Sequence, residues 1–237
     1  MARLTRRELK TDTLAARLTA VTEFFLQNRK SFATGGAALL LLVAAGWGIS
    51  LYLRSQQAQA AEALGQALAA YHGFVSPTPP PNPNLPHFKT EKEKYEEAQK
   101  QFTAVAARFP RFSQGLWARY YVALCQRDLG NLSEAEKELS LIAKENDSEV
   151  VAQAKMALAG IYQQSGRGEE AEKLYQELLK GRPAATVPKA TIQIALAELY
   201  QQTNPPRALE IYQQMAKEYS GTAIGDVVTD MLNNNPQ

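Results

Sequence analysis

Few side chains in this sequence can do acid–base, nucleophilic or metal chemistry. There are two histidines, His72 and His87, and one cysteine, Cys125. Both histidines border a proline-rich stretch, where no regular element would hold them against an acid or a nucleophile. Zinc needs several Cys or His ligands close together, and the chain does not supply them. No glycine-rich phosphate loop lies between a strand and a helix, since no strands are expected. The acidic runs Glu134, Glu136, Glu138 and Glu169, Glu170, Glu172 read as solvated helix faces near N-termini, where negative charge is favourable. Cys125 reads as a small buried apolar residue, and a lone cysteine excludes an intrachain disulfide. The expectation is a non-enzyme with no cofactor, no metal and no small-molecule substrate. A formal net charge of +2 argues against a nucleic-acid partner. Protein binding is the chemistry left, and it needs a scaffold.

Ala, Leu, Glu, Gln and Lys dominate and strand-favouring runs are scarce, so the expected fold class is all-α. The scaffold is written as repeats. Leu158-Ala159-x-x-Tyr162-Gln163-Gln164 recurs as Leu196-Ala197-x-x-Tyr200-Gln201-Gln202, 38 residues later. Ala171-x-x-x-Tyr175 recurs as Ala208-x-x-x-Tyr212 after 37 residues, and Ala123 to Ala159 and Ala135 to Ala171 are each 36. A half-copy contains Ala98-x-x-x-Phe102 and ends in Phe109-Pro110. Fixed periods of this length signal stacked supersecondary units.

The pattern resembles the tetratricopeptide repeat. In that family a small residue sits midway along a first helix, Gly marks the turn, and Ala then an aromatic lie on a second helix. Small residues let paired helices approach closely. Gly130 and Gly166 supply turn freedom, and Pro110, Pro183 and Pro188 separate hairpins. The repeats run slightly long, the fourth turn is Asn204-Pro205-Pro206, and Gln126 stands where an aromatic is usual. The resemblance implies a solenoid whose concave face is lined by first helices. With Ala123, Ala159 and Ala197 set as equivalent, the inward positions include Tyr120, Arg127, Asp128, Gln163, Gln164, Gln201 and Gln202. Gln side chains donate and accept, which suits the backbone of an extended peptide.

Ahead of the repeats, residues 32–53 hold no Asp, Glu, Lys, Arg or His. As a helix they span about 33 Å, enough for a bilayer core of about 30 Å. Residues 1–31 carry seven Lys/Arg and three acids, whereas Arg54 is the only basic residue between the segment and Lys89. The positive-inside rule then places the N-terminus in the cytoplasm. Leu14, Leu18, Val21 and Phe25 share one face of an expected amphipathic helix over 11–30. Pro77, Pro79, Pro80, Pro81, Pro83 and Pro86 form an insertion of extended, partly polyproline character that splits the first repeat.

The layout of Glu23-Phe24-Phe25-x-x-Asn28-Arg29-Lys30, an anchor with Gly46-Trp47, and then degenerate repeats is similar to the YfgM family, the ancillary subunit of the bacterial SecYEG translocon. That resemblance implies a single-pass type II inner-membrane protein whose C-terminal domain is periplasmic. Its expected partners are the translocon, a periplasmic chaperone and secreted polypeptides. A CpoB-like envelope-assembly or cell-division adaptor, and a non-catalytic regulatory subunit of a membrane enzyme, remain as alternatives. The expected division is a basic cytoplasmic segment at 1–31, a transmembrane helix at 32–53 and the first helix of a split repeat 1 at 54–76. The Pro-rich insertion at 77–89 and the second helix of repeat 1 at 90–110 follow. Repeat 2 covers 111–147, repeat 3 148–183, repeat 4 184–220, and a cap helix with tail 221–237.

Overall fold

A computed structural model describes residues 29–233 except 79, 81, 83 and 84, with only the backbone of 29, 31–33 and 36–39. The amphipathic helix expected over 11–30 therefore lies almost wholly outside the described residues. The chain forms two compact units, residues 1–56 and 57–237. Helix α1, Arg29–Tyr71, runs unbroken through the boundary. The expected membrane span includes residues 32, 33 and 36–39, whose side chains are not described. Among the described residues no helix is long and apolar enough to cross a membrane.

The second unit is a helical TPR-like solenoid. After α1 come α2 (Glu91–Arg108), α3 (Ser113–Asp128), α4 (Leu132–Ile142), α5 (Ser148–Gln164), α6 (Gly168–Lys180), α7 (Lys189–Thr203), α8 (Pro205–Glu218) and α9 (Ala223–Asn233). Local sequence sets the ends. Thr90 Oγ1 accepts the Glu93 N–H at the start of α2, and the Asp147 carboxylate accepts from Glu149 and Val150 at the start of α5. The Asn204-Pro205-Pro206 turn starts α8: Asn204 caps it, and the prolines occupy first-turn positions whose N–H groups have no helical partner. Gly130 and Gly166 hold φ +85° and +74° in the turns before α4 and α6, which side-chain-bearing residues rarely adopt.

Packing follows the small-then-large spacing. Ala123, Ala159 and Ala197 are each 0% exposed. On the second helices Ala98 and Phe102, Ala135 and Leu139, Ala171 and Tyr175, and Ala208 and Tyr212 are all buried. Residues i and i+4 lie on one helix face, so each pair offers a close-approach point and a filler to the neighbouring hairpin. Two turns share a feature that periodicity does not expose. A Cβ on Gly115 would meet the Phe109 carbonyl oxygen at 2.1 Å, and one on Gly225 would meet that of Tyr219 at 2.3 Å. Phe109-x₅-Gly115 and Tyr219-x₅-Gly225 are thus the same turn, so α9 begins as a first helix does. At its positions equivalent to Leu116 and Tyr120 stand Asp226 and Asp230.

Polar latches fix successive repeats. Arg167 makes a two-pronged pair with Glu136 at 2.9 and 2.5 Å. The Tyr200 hydroxyl donates to Glu172 at 2.6 Å, and Glu136 and Glu172 are one repeat apart. Glu149 holds the loop before α7, accepting from Ala185 N (3.1 Å), Thr186 N (2.9 Å) and Thr186 Oγ1 (2.9 Å). These bonds, led by the Thr186 N–H, hold its carboxyl below the usual value of 4.5. A carboxyl lowered by folding stabilises the fold above its unfolded pKa and loses that contribution as pH falls through the folded one. Glu149→Gln therefore melts at a lower temperature than the parent at neutral pH, and the two curves converge as pH drops below about 4. Parallel curves through that range would show that the loop does not depend on the charge of Glu149.

One expectation is corrected. Strands do occur: β1 (Phe74–Val75) and β2 (His87–Phe88) pair in parallel. Their pairing closes the proline-rich insertion at its ends, where Phe74 N–H donates to Pro86 O at 2.9 Å and Ser76 N–H to Phe88 O at 3.1 Å. The His87 Nε2–H adds a bond to Ser76 O at 2.8 Å. The first helix of the split repeat ends at Tyr71, before Gly73, where a Cβ would lie 2.6 Å from the Phe88 ring.

Candidate functional site

Repeat geometry brings three first helices, α3, α5 and α7, into register through Ala123, Ala159 and Ala197. The positions four and five residues after these alanines stand at one end of the helices. They are Arg127 and Asp128, Gln163 and Gln164, and Gln201 and Gln202. Gln164, Gln201 and Gln202 are exposed, while Gln163 is half-buried with its Oε1 accepting from the Tyr175 hydroxyl at 3.5 Å. Arg127 is half-buried. Its Nε and Nη2 donate to Asp128 Oδ1 at 2.9 and 2.8 Å, and Asp128 Oδ2 accepts the Tyr71 hydroxyl at 2.7 Å. Burial, reinforced by the Asp128 carboxylate, pushes the Tyr71 hydroxyl far above its ordinary pKa, so it remains a donor.

Tyr120 does not belong to the open surface. It is 7% exposed, because it lies in one core cluster with Val150, Ala154 and Leu158 of α5. Its ring meets Trp117 and Tyr121 edge-on at 5.7 and 5.2 Å, and its hydroxyl donates to Gln153 Oε1 at 3.4 Å. Burial pushes the phenol up to about 12. Gln153 in turn donates to Thr186 O at 2.7 Å, so Tyr120 is part of the floor that joins α3 to α5 and to the loop before α7.

Register also identifies residues that the chemistry-led reading passed over. Met156 and Ile194 stand three residues before their alanines, as Tyr120 does, and both are partly buried apolar side chains. Glu198, one residue after Ala197, is exposed. The face thus has an apolar row beside a row of amides and one internally paired Arg–Asp. Cys125 lies on the other side of α3. It is fully buried, and burial pushes its thiol up to about 12, which leaves no thiolate for reaction. The buried Oε1 of Gln126 has no protein partner, yet its neighbours Ala123 and Cys125 are closely packed.

Two hollows are present, the first of them reaching Asp128 of the row. An open polar one of about 440 Å³ is lined by Lys92, Glu96, Asp128, Leu129 and Asn131. A smaller apolar one of about 130 Å³ lies under the loop before α7, between Ala152, Leu178, Val187 and Ile192. Among the described residues no group of three or more His, Cys, Asp or Glu could hold a metal ion.

Two crystal structures are similar to this chain. Both contain the nearly identical TPR-like repeats of a Podosopora anserina protein assigned as a kinesin light chain, one of them carrying a single substitution. The first is 18% identical with a TM-score of 0.48, and the second 17% identical with a TM-score of 0.48. Each comparison covers 76% of this chain and 83% of the other. No curated protein matches the chain. The family model of the tetratricopeptide repeat-like domain matches residues 22–181, more than half of the sequence, and the chain belongs to that family.

Proposed function

We propose that this protein is a membrane-anchored interaction scaffold. In this reading it is an accessory translocon subunit of the bacterial inner membrane, which receives or hands on secreted chains in the periplasm beside a periplasmic chaperone. The observation that carries the reading is α1. One unbroken helix joins the uncharged stretch 32–53 to the first repeat. Where its side chains are described, the apolar stretch is exposed all round: Leu40 is 70%, Trp47 70% and Tyr52 63% exposed. A helix that is apolar on every face needs an apolar surrounding, and a bilayer supplies one. The excess of basic residues before it supports an N-terminus inside. The family match begins at residue 22 and so includes the Glu23–Lys30 and Gly46-Trp47 blocks that resemble the translocon subunit.

The polypeptide-binding face is the first-helix row of Arg127, Gln163, Gln164, Gln201 and Gln202, with Tyr120 in its floor. Affinity is modest, because a shallow polar row orders a flexible chain at an entropic cost. A reporter fused after Gln237 is expected to be active only outside the cytoplasm; cytoplasmic activity would overturn the orientation and the translocon role together. Crosslinking and pull-down from detergent identify the partners. Replacing Gln164, Gln201 and Gln202 together with Ala is expected to weaken crosslinking to secreted chains while helical content is unchanged. Undiminished crosslinking would place the binding face elsewhere.

A further inference from the structure

The first-helix face of α3, α5 and α7 presents little free charge. Lys155 is taken up by Glu177 at 2.9 Å, Lys189 by Glu218 at 2.7 Å, and Glu149 by the loop before α7. At the binding row the one guanidinium, Arg127, has Nε and Nη2 on Asp128 Oδ1, and the other oxygen of Asp128 is filled by Tyr71. Arg127 and Asp128 are adjacent in sequence, and adjacent residues on a helix do not face each other. Something beyond the helix must therefore fix the carboxylate. Tyr71 does so from α1, across 57 residues of sequence. Its ring is itself held between Tyr95 at 5.6 Å, Phe102 at 6.2 Å and Tyr121 at 5.6 Å. The charge left on the face is the exposed carboxylate of Glu198, and beside the amide row runs the apolar row of Tyr120, Met156 and Ile194.

We propose that this face selects extended polypeptide segments bearing uncharged, apolar side chains and turns acidic segments away, with Tyr71 and Asp128 as the positioning residues that keep Arg127 neutralised. The proposal rests on the reading of this face as the polypeptide site. An acidic ligand meets the exposed carboxylate of Glu198 and finds Arg127 already neutralised by Asp128, and like charges brought together lower affinity. An apolar ligand covers Met156 and Ile194 while its backbone finds Gln donors and acceptors.

The test measures binding of two labelled peptides to the full chain in detergent. One is built of Leu, Val, Ser and Gln, and the other has Glu at the Gln positions. The neutral peptide is expected to bind roughly tenfold more tightly or better. Its binding is expected to hold between about 0.1 M and about 1 M NaCl, over which the screening length falls from about 10 Å to about 3 Å. Asp128→Asn releases the Arg127 charge, so the acidic peptide gains affinity severalfold relative to the neutral one and becomes salt-sensitive. Tyr71→Phe keeps the ring packing and shifts the acidic peptide in the same direction by less. A purely structural role for Tyr71 and Asp128 would change both peptides alike. Equal binding of the two peptides by the parent, or a preference unmoved in Asp128→Asn of normal helical content, overturns the proposal and leaves the polypeptide site standing. Failure of the parent to bind either peptide overturns both.

Discussion

Phe102→Ala lowers the stability of the repeat domain by about 3–5 kcal/mol, the range for truncating a buried aromatic. For a domain of this size that is a fall in Tm of roughly 6–20 °C. Phe102 is 0% exposed. It stacks on Tyr121 at 4.9 Å with the rings 13° from parallel, and Tyr71 meets its edge at 6.2 Å. The ring therefore joins three helices, α1, α2 and α3, in one cluster with Ala67, Ala98 and Cys125. Alanines already line that space, so the helices cannot close further on a void, and the residual cavity keeps most of its cost. Phe102→Leu keeps much of the volume and is expected to lose less than half as much. A thermal melt by circular dichroism decides the matter. A Phe102→Ala protein within about 2 °C of the parent would mean that the first hairpin is not part of the cooperative unit. The same variant loosens the Tyr71 ring, so the Tyr71–Asp128 bond is expected to weaken with it.

The sequence makes Phe102 readable because it belongs to a period. Wherever one helix must approach another, the packing demands Ala, and one turn later it demands a filler. Those demands recur with the repeat, at Ala98 and Phe102 as at Ala208 and Tyr212. Tyr71 shares no such period. Its partner Asp128 is distant in sequence and their bond is made once, so no internal comparison could disclose it. The strand pair that closes the proline-rich insertion was hidden for another reason. It is a bond between backbone groups over two residues per strand, and side-chain pattern carries no record of it. Composition pointed to an insertion of extended, partly polyproline character and said nothing of the bond that joins its ends at Phe74 and Pro86.

The binding face was legible in register but not in exposure. Counting from Ala123, Ala159 and Ala197 sets Arg127, Gln163 and Gln201 in one row, because helical repeats conserve phase. Exposure depends also on what the neighbouring helix covers. Tyr120 has the phase of Met156 and Ile194, but α5 lies against it and Gln153 reaches its hydroxyl. A tyrosine at that position brings a large apolar ring and a polar tip, and burial with a partner for the tip is how such a side chain settles when the space closes.

Gly115→Ala is expected to cost about 3 kcal/mol, the upper end of the usual penalty for overpacking. Gly115 is needed for space, since its φ is not among the positive ones. An added Cβ would stand 2.1 Å from the Phe109 oxygen and 2.8 Å from its carbonyl carbon, with the Pro110 Cα next at 3.4 Å. These are backbone atoms, so no side chain can rotate away. Relief requires the start of α3 to move off the turn, which strains the Phe112 N–H bond to Phe109 O at 3.1 Å and the Gly115 N–H bond to Phe112 O at 2.9 Å. Phe109 cannot give way either, being 1% exposed in the first core cluster. Gly225 meets Tyr219 in the same manner, but α9 is the last described helix and packs against α8, so it has more freedom to shift. Gly225→Ala is therefore expected to lose clearly less. Urea midpoints of the two variants test the ordering. If Gly225→Ala proved the more damaging, or if Gly115→Ala left the midpoint unchanged, the close approach at these two turns would not be what sets the angle between successive hairpins.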